Sequence, residues 1–327
     1  MKKIVVLGSM LMACLLFSGL AEAKTTKIKW GATSTRSGLY ANTVAQAALV
    51  NQTFPEIEIT VVETGGYVEN LVRTQKKTIH LGPASAAAAY AAYAGIIDYE
   101  GRQLADLRSL WGGYVTPIHI VTSKKSGITR IEDLDGVSFA MNPGTTSGRL
   151  IELLFDALDI KPDYKMMGIG ASVDAMKSGV VEGWMKAGFK DAAIMDIEST
   201  MEINVLTVTQ EMIDTMNAKY PAHGLLMTVP AGLFNAIAEE QLSFAYVVSD
   251  FVHKDVPDEV VEKILRATYD KREDLVSNIA TLREGRFADM YDVAIEYNLA
   301  VPFHPAAVKF YQENLGVTVP EKLLPPK

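Results

Sequence analysis

Residues 28–52, IKWGATSTRSGLYANTVAQAALVNQ, hold one complete strand–loop–helix unit. Ile28 to Ala32 is short, apolar at alternate positions and suited to a strand. The polar run Thr33-Ser34-Thr35-Arg36-Ser37-Gly38 breaks it, and from Leu39 to about Gln52 the spacing of apolar residues turns helical. The same order recurs downstream. Glu56 to Glu63 alternates and is β-branched, Thr64-Gly65-Gly66 turns the chain, and a helix is predicted over Tyr67–Gln75. Ile79 to Gly82 reads as the next strand. It leads into the alanine tract Ala84 to Ala94, where Tyr90 and Tyr93 at i, i+3 mark a packed helix. Repeated strand-loop-helix units predict an α/β fold, a mostly parallel sheet with helices on its faces.

Beyond it, Leu107–Trp111 and Ile118–Ser123 read as strands, and after Lys124-Lys125-Ser126-Gly127 the pattern restarts. Val137–Met141 is a strand, Asn142 to Gly148 a loop, and Arg149–Leu158 a helix. Val173–Ser178 (helix), Val180–Met185 and Ile203–Val208 (strands), Gln210–Ala218 (helix) and Leu225–Val229 (strand) continue the series. From there to the end the sequence reads as mainly helical. A chain of this length exceeds one small core. The expected division is a first lobe over 24–120, a second over 121–227, and a return to the first over 228–327, with crossings near Ile120 and Met227. In open α/β sheets ligands sit outside the carboxyl ends of the strands, which puts the expected site in a cleft between the lobes.

The N-terminus has the order of a secretory signal: Lys2 and Lys3, an apolar run from Ile4 to Leu20, then Ala21-Glu22-Ala23 ahead of Lys24. Cleavage after Ala23 is expected, with a periplasmic destination. Leu11-Met12-Ala13-Cys14 also resembles a lipid-attachment site, but its preceding apolar stretch is short. Cleavage would remove the only cysteine, and the net charge would move from −8 to −9 because two lysines and one glutamate leave. No later segment has the length and apolarity of a membrane span. An acidic chain without a basic cluster argues against nucleic acid as partner, though local donors still permit an anionic ligand. The five histidines (His80, His119, His223, His253, His304) have no metal-ligand spacing, and no nucleophile elbow or phosphate loop is present. No cofactor and no catalysis are expected.

Several segments together resemble one family: Thr64-Gly65-Gly66-Tyr67-Val68-Glu69-Asn70-Leu71, Leu107-Arg108-Ser109-Leu110, Ser126-Gly127-Ile128 with Ile131-Glu132-Asp133-Leu134-Asp135-Gly136, Asp174-Ala175-Met176-Lys177-Ser178-Gly179-Val180-Val181-Glu182-Gly183, and Pro302-Phe303-His304-Pro305-Ala306-Ala307. In this order they are similar to the TAXI-type (TRAP-associated extracytoplasmic immunogenic) solute-binding proteins of TRAP transporters. The resemblance implies a two-lobed type II periplasmic-binding-protein fold that closes on its ligand. It also implies delivery to a TRAP permease driven by an ion gradient, and ligands of the glutamate, glutamine or 2-oxoglutarate kind. A monomer is expected.

The residues themselves nominate a site. Ser34, Thr35 and Arg36 lie between a strand end and a helix start, where free N–H groups and the helix dipole favour an anion. Arg36 replaces the glycine-rich loop usual in the family. It is either a bidentate carboxylate partner or a solvated loop arginine. Tyr40, one turn on, could close over a ligand. Gly66 is either a close-approach position or a turn glycine. Ser85 stands where the family often has glutamine, which would re-shape the pocket. Asn142, Thr145, Thr146 and Ser147 offer the same helix-start chemistry in the second lobe, beyond the one hydroxyl that an N-cap needs. Trp184, Lys186, Gly188 and Phe189 end a strand, where Trp184 and Lys186 are either an apolar wall with a counter-charge or a core tryptophan and a solvated lysine. The leading expectation is a receptor for a small organic anion. The alternatives are the binding protein of an ATP-driven (ABC) importer, a periplasmic enzyme on the same fold, and a sensor subunit.

Overall fold

A computed structural model describes residues 25–326 except 36, 37 and 298. The expected signal segment, Cys14 and Arg36 therefore lie outside the described residues.

The chain begins β1 (Thr26–Gly31), α1 (Gly38–Thr53), β2 (Ile57–Val62), α2 (Tyr67–Gln75), β3 (Leu81–Ser85), α3 (Ala86–Ala94), β4 (Leu107–Ser109) and β5 (Tyr114–Ser123). It continues β6 (Ser138–Met141), α4 (Thr146–Ala157), β7 (Asp163–Met166), α5 (Ile169–Ser178), β8 (Gly183–Ala187), α6 (Ala192–Glu198), β9 (Ile203–Leu206), α7 (Gln210–Lys219) and β10 (Leu225–Val229). Last come β11 (Gln241–His253), α8 (Asp258–Asp270), α9 (Arg272–Asn278), α10 (Ala280–Glu284), α11 (Met290–Glu296) and α12 (Pro305–Leu315).

The strands are ordered β2-β1-β3-β11-β5-β8-β6-β7, with β4 and β10 also on β11 and β9 on β5. Two halves share one plan. In the first, β1 lies parallel between β2 and β3, and β11 is antiparallel beside β3. In the second, β6 lies parallel between β7 and β8, and β5 is antiparallel beside β8. The strand inserted into each half also pairs in the other, since β5 pairs with β11 through Tyr114–Ile118 and with β8 through Ile118–Thr122. This is the two-lobed α/β architecture expected from the sequence.

β11 was not foreseen there. Residues 243–253 are buried along their whole length, so the run has no polar face to give the alternation of a half-exposed strand. β3 starts two residues later than expected and runs to Ser85, and α4 starts at Thr146 rather than Arg149. A second apolar cluster, with Val121, Met176, Trp184, Ile194 and Ile197, takes in Phe234 and Ile237. The stretch after β10 thus packs with the second half, and the return to the first half runs along β11.

Local chemistry sets the helix ends. Ser85 Oγ accepts from Ala88 N at 3.2 Å and starts α3, while Gly95 at φ 71° ends it. In α8, Asp258 and Glu259 fall in the first turn, where the helix dipole favours acids. Its Val260, Val261, Ile264, Leu265 and Thr268 face the core.

Candidate functional site

Two asparagines fix the strand ends. Asn70, fully buried in α2, donates from Nδ2 to Ala32 O (2.7 Å) and Pro83 O (2.9 Å), tying the ends of β1 and β3 together. Gly31 and Gly82 pass beside it because a Cβ on either would press on the Asn70 amide. In the second half Asn142 donates to Met167 O and Ser172 Oγ, both at 2.9 Å, and accepts from Trp184 Nε1 at 3.0 Å. Asn142 and Trp184 are therefore spent on packing, and Trp184 is core, not a cleft wall.

The first half carries a buried polar group that the sequence did not single out. Tyr114 begins β5 and Tyr246 lies in β11. Val248 opposes both Tyr114 and Ser85, and Tyr246 opposes Thr116, so these residues share one face of the sheet. Tyr67, first residue of α2, and Asn42, from α1, both face the Tyr114 hydroxyl. Asn42 Nδ2, Tyr67 OH and Gln46 Oε1, one turn beyond Asn42, are buried without a hydrogen-bond partner, as is Thr33 Oγ1 at the end of β1. Buried polar atoms of folded proteins nearly always have partners, and an unmet one costs about 1–3 kcal/mol. Burial pushes the Tyr67, Tyr114 and Tyr246 hydroxyls above the usual phenol range, so all three stay protonated donors. Beside this group, Trp30 Nε1 donates to Asp250 Oδ1 at 2.8 Å. Burial pushes this carboxyl up to about 7.

Among the expected residues, Gly66 and Ser85 adjoin this group. Gly66 directly precedes Tyr67; its φ of 124° requires glycine, and a Cβ there would meet nothing within 4 Å. Helix α2 has no side-chain cap at Gly66. Ser85 is buried and occupied as the cap of α3. Thr35 is exposed, its N–H donating to Glu63 Oε1 at 2.9 Å. Ser34 is exposed and Tyr40 half-buried.

In the second half Thr145 is the N-cap of α4: its Oγ1 accepts from Gly148 N at 3.1 Å and donates to Asn142 O at 2.8 Å. Thr146 and Ser147 follow as half-buried residues of the first turn. Lys186 is neither solvated nor free. Its Nζ lies 2.9 Å from Asp191 Oδ2 and donates to Ala187 O at 2.9 Å. Phe189 is buried, and Gly188 O lies 2.9 Å from His119 Nε2. Burial pulls that imidazole down to about 4, so it is neutral at pH 7. Among the described residues no three His, Cys, Asp or Glu side chains are grouped to hold a metal. Nor, among them, is any helix long and apolar enough to cross a membrane.

The sequence had signals for part of what was missed. Tyr67 follows the Gly65-Gly66 turn directly, at a helix start of the kind already under suspicion. Tyr246 had none, since its strand was unread.

Residues 31–314 match the family described as NMT1-like. The match does not single out the TRAP-associated group. Among solved structures, the periplasmic aliphatic sulphonate binding protein SsuA from Escherichia coli is similar, at 15% identity over 88% of each chain and a TM-score of 0.44. So is the probable amino-acid ABC transporter extracellular-binding protein ytmK from Bacillus subtilis, at 12% identity over 84% of this chain and 98% of that one, TM-score 0.48. XAC2383 from Xanthomonas citri, solved bound to ATP, is 10% identical over 88% of this chain and 95% of its own, with a TM-score of 0.51. At such identities the likeness is one of fold.

Proposed function

Since the chain belongs to the NMT1-like family, and its fold is the two-lobed one of periplasmic solute-binding proteins, we propose that it captures a small polar solute between its lobes for a membrane importer. The observation that carries this reading is the buried group around Tyr114: Asn42 and Tyr67 face its hydroxyl, yet Asn42 Nδ2, Tyr67 OH and Gln46 Oε1 are buried without a hydrogen bond of good geometry. Oxygen atoms of a ligand would accept from Asn42 Nδ2 and Tyr67 OH, while Gln46 Oε1 would take an N–H or O–H of the same ligand.

The proposed ligand is a small organic anion such as a carboxylate. Three protonated phenols and an amide offer neutral donors, and hydrogen bonds to a charged acceptor are the strong ones. Gly66 and the start of α2 on one side, and Thr146 and Ser147 at the start of α4 on the other, would add N–H and hydroxyl donors. Ser34, Thr35, Arg36 and Tyr40 form the proposed rim. The proposed lobes are 24–120 with the return along β11 onward, and the intervening chain. The proposed mature protein is periplasmic, monomeric and not an enzyme.

The proposed importer is of the ABC type; the TRAP-like segments support an ion-gradient permease as the second reading. Co-purification of the tagged protein with its membrane partner separates them, as one partner carries an ATPase and the other does not.

Native mass spectrometry of protein purified from cells, followed by a thermal-shift screen of organic acids and neutral polar solutes, tests the binding reading. A solute at a hundred times its Kd should stabilise the protein by about 2.7 kcal/mol. Tyr67→Phe should weaken that solute by about 10- to 100-fold, the loss of one bond to a charged group, while leaving the unliganded protein no less stable. An unchanged affinity in Tyr67→Phe would rule out this site; a panel in which only neutral solutes bind would rule out the anion.

A further inference from the structure

Asp98 and Arg149 meet from opposite halves of the molecule. Asp98 lies in the short turn Ile97–Tyr99 that follows α3, and Arg149 in the first turns of α4. Arg149 Nη2 reaches Asp98 Oδ1 at 2.7 Å and Nε reaches Oδ2 at 3.0 Å, a two-pronged bond to one carboxylate. Its third nitrogen, Nη1, lies 3.3 Å from Glu152 on the same helix. Among ion pairs whose two partners are both described, this one alone joins the halves; all the others stay within one half.

The turn that presents Asp98 is strained and braced. Ile97, a β-branched residue, is held at φ 57°, a conformation costly for its type. Arg102 Nη2 donates back to Asp98 O at 2.6 Å, and Tyr99 is buried behind it. Strain of this kind persists where surrounding contacts fix the position. A two-pronged pair also demands that both planes stay aligned, so a shift of the halves by a few ångströms would break both bonds together. His223, from the turn before β10, faces both charges, but burial holds it below its usual range, and it adds no charge at neutral pH.

We infer that the Asp98–Arg149 pair is a clasp that holds the two halves closed and so sets how long a captured solute stays. The inference rests on the proposed capture between lobes. Arg149 is here a positioning residue: it acts on the other half rather than on the solute.

The chain from residue 24 onward has no cysteine, so spin labels can be placed at will. Glu313→Cys on α12 and Val180→Cys after α5 are exposed positions, one on each half. The distance between the labels is measured by pulsed electron resonance in protein freed of solute by unfolding and refolding, at low and high salt. The expected result is a mixture of short and long separations. In Arg149→Ala and in Asp98→Asn the ratio of short to long should fall by about two- to fivefold, the range of a partly exposed ion pair. The double variant should fall no further than either single one, and Arg149→Lys, which keeps the charge but not the fork, should lie between. High salt should shift the wild type towards the variants. Circular dichroism confirms that each variant is folded. A mixture in the wild type that none of the variants alters overturns the clasp and leaves capture between lobes standing. One unchanging separation in every sample overturns the closing motion itself, and the clasp with it.

Discussion

Asn142 and Asp250 show how far a side chain's role depends on what lies opposite it. Asn142 sits in a loop of ligand-like composition, yet its amide is consumed by Met167, Ser172 and Trp184. Asn142→Ala should strand the Trp184 indole N–H and the Met167 carbonyl in the core and destabilise the protein by about 2–4 kcal/mol in urea unfolding. A loss under 1 kcal/mol would mean that the network contributes little. Asp250 has its folded pKa raised to about 7, above the roughly 3.9 of an unfolded chain. Between those values the folded state binds the extra proton. The stability this group contributes is therefore present in full below about pH 4, falls as pH rises towards 7, and is flat above. His119, lowered to about 4, works in the opposite sense between about 4 and its unfolded value near 6.5. The comparison that isolates Asp250 is with Asp250→Asn. From pH 5 to 8 the wild type should lose roughly 2–3 kcal/mol more than that variant, and parallel pH profiles would refute the assignment.

At the scale of elements, caps and turns were the most legible features. Thr145 was read as one of three hydroxyls at a helix start, and it is the residue that caps α4. Thr145→Ala should cost about 1 kcal/mol, seen as a lower urea midpoint with an unchanged slope; no change would show that Thr146 or Ser147 can take over the cap. Gly113 makes a stronger demand. It lies between β4 and β5 at φ 77°, and a Cβ there would meet the Val248 carbonyl well inside contact distance. Gly113→Ala should therefore push β5 away from β11 and leave little folded protein, measured by near-ultraviolet circular dichroism of the expressed variant. The least legible element was β11. Its Phe244–His253 run is buried on both faces, and a buried strand cannot be told from a buried helix by period alone.

The whole molecule is two copies of one plan, each completed by a strand shared with the other. Since β5 and β11 each pair with strands of both halves, neither half has a full sheet without them. Unfolding should be a single cooperative transition. Trp30 and Trp111 lie in the first half and Trp184 in the second, all fully buried. In Trp184→Phe, fluorescence reports the first half alone while far-ultraviolet circular dichroism reports both. Coincident urea curves are expected, and two separated midpoints would show that the halves unfold independently.

The sequence by itself determined the class of this protein. Strand–loop–helix order, turn glycines and hydroxyl caps are local properties, fixed by spacing and backbone chemistry within a few residues, and they were enough to predict an α/β chain in two lobes. Only the tertiary structure decided which polar side chains are bound up in packing and which keep unmet hydrogen bonds. Asn142 and Ser85 are bound up in packing and capping. Asn42, Tyr67 and Tyr114 converge from α1, α2 and β5, elements separated by dozens of residues, and the good hydrogen bonds that Asn42 Nδ2 and Tyr67 OH lack depend on neighbours that no local pattern records.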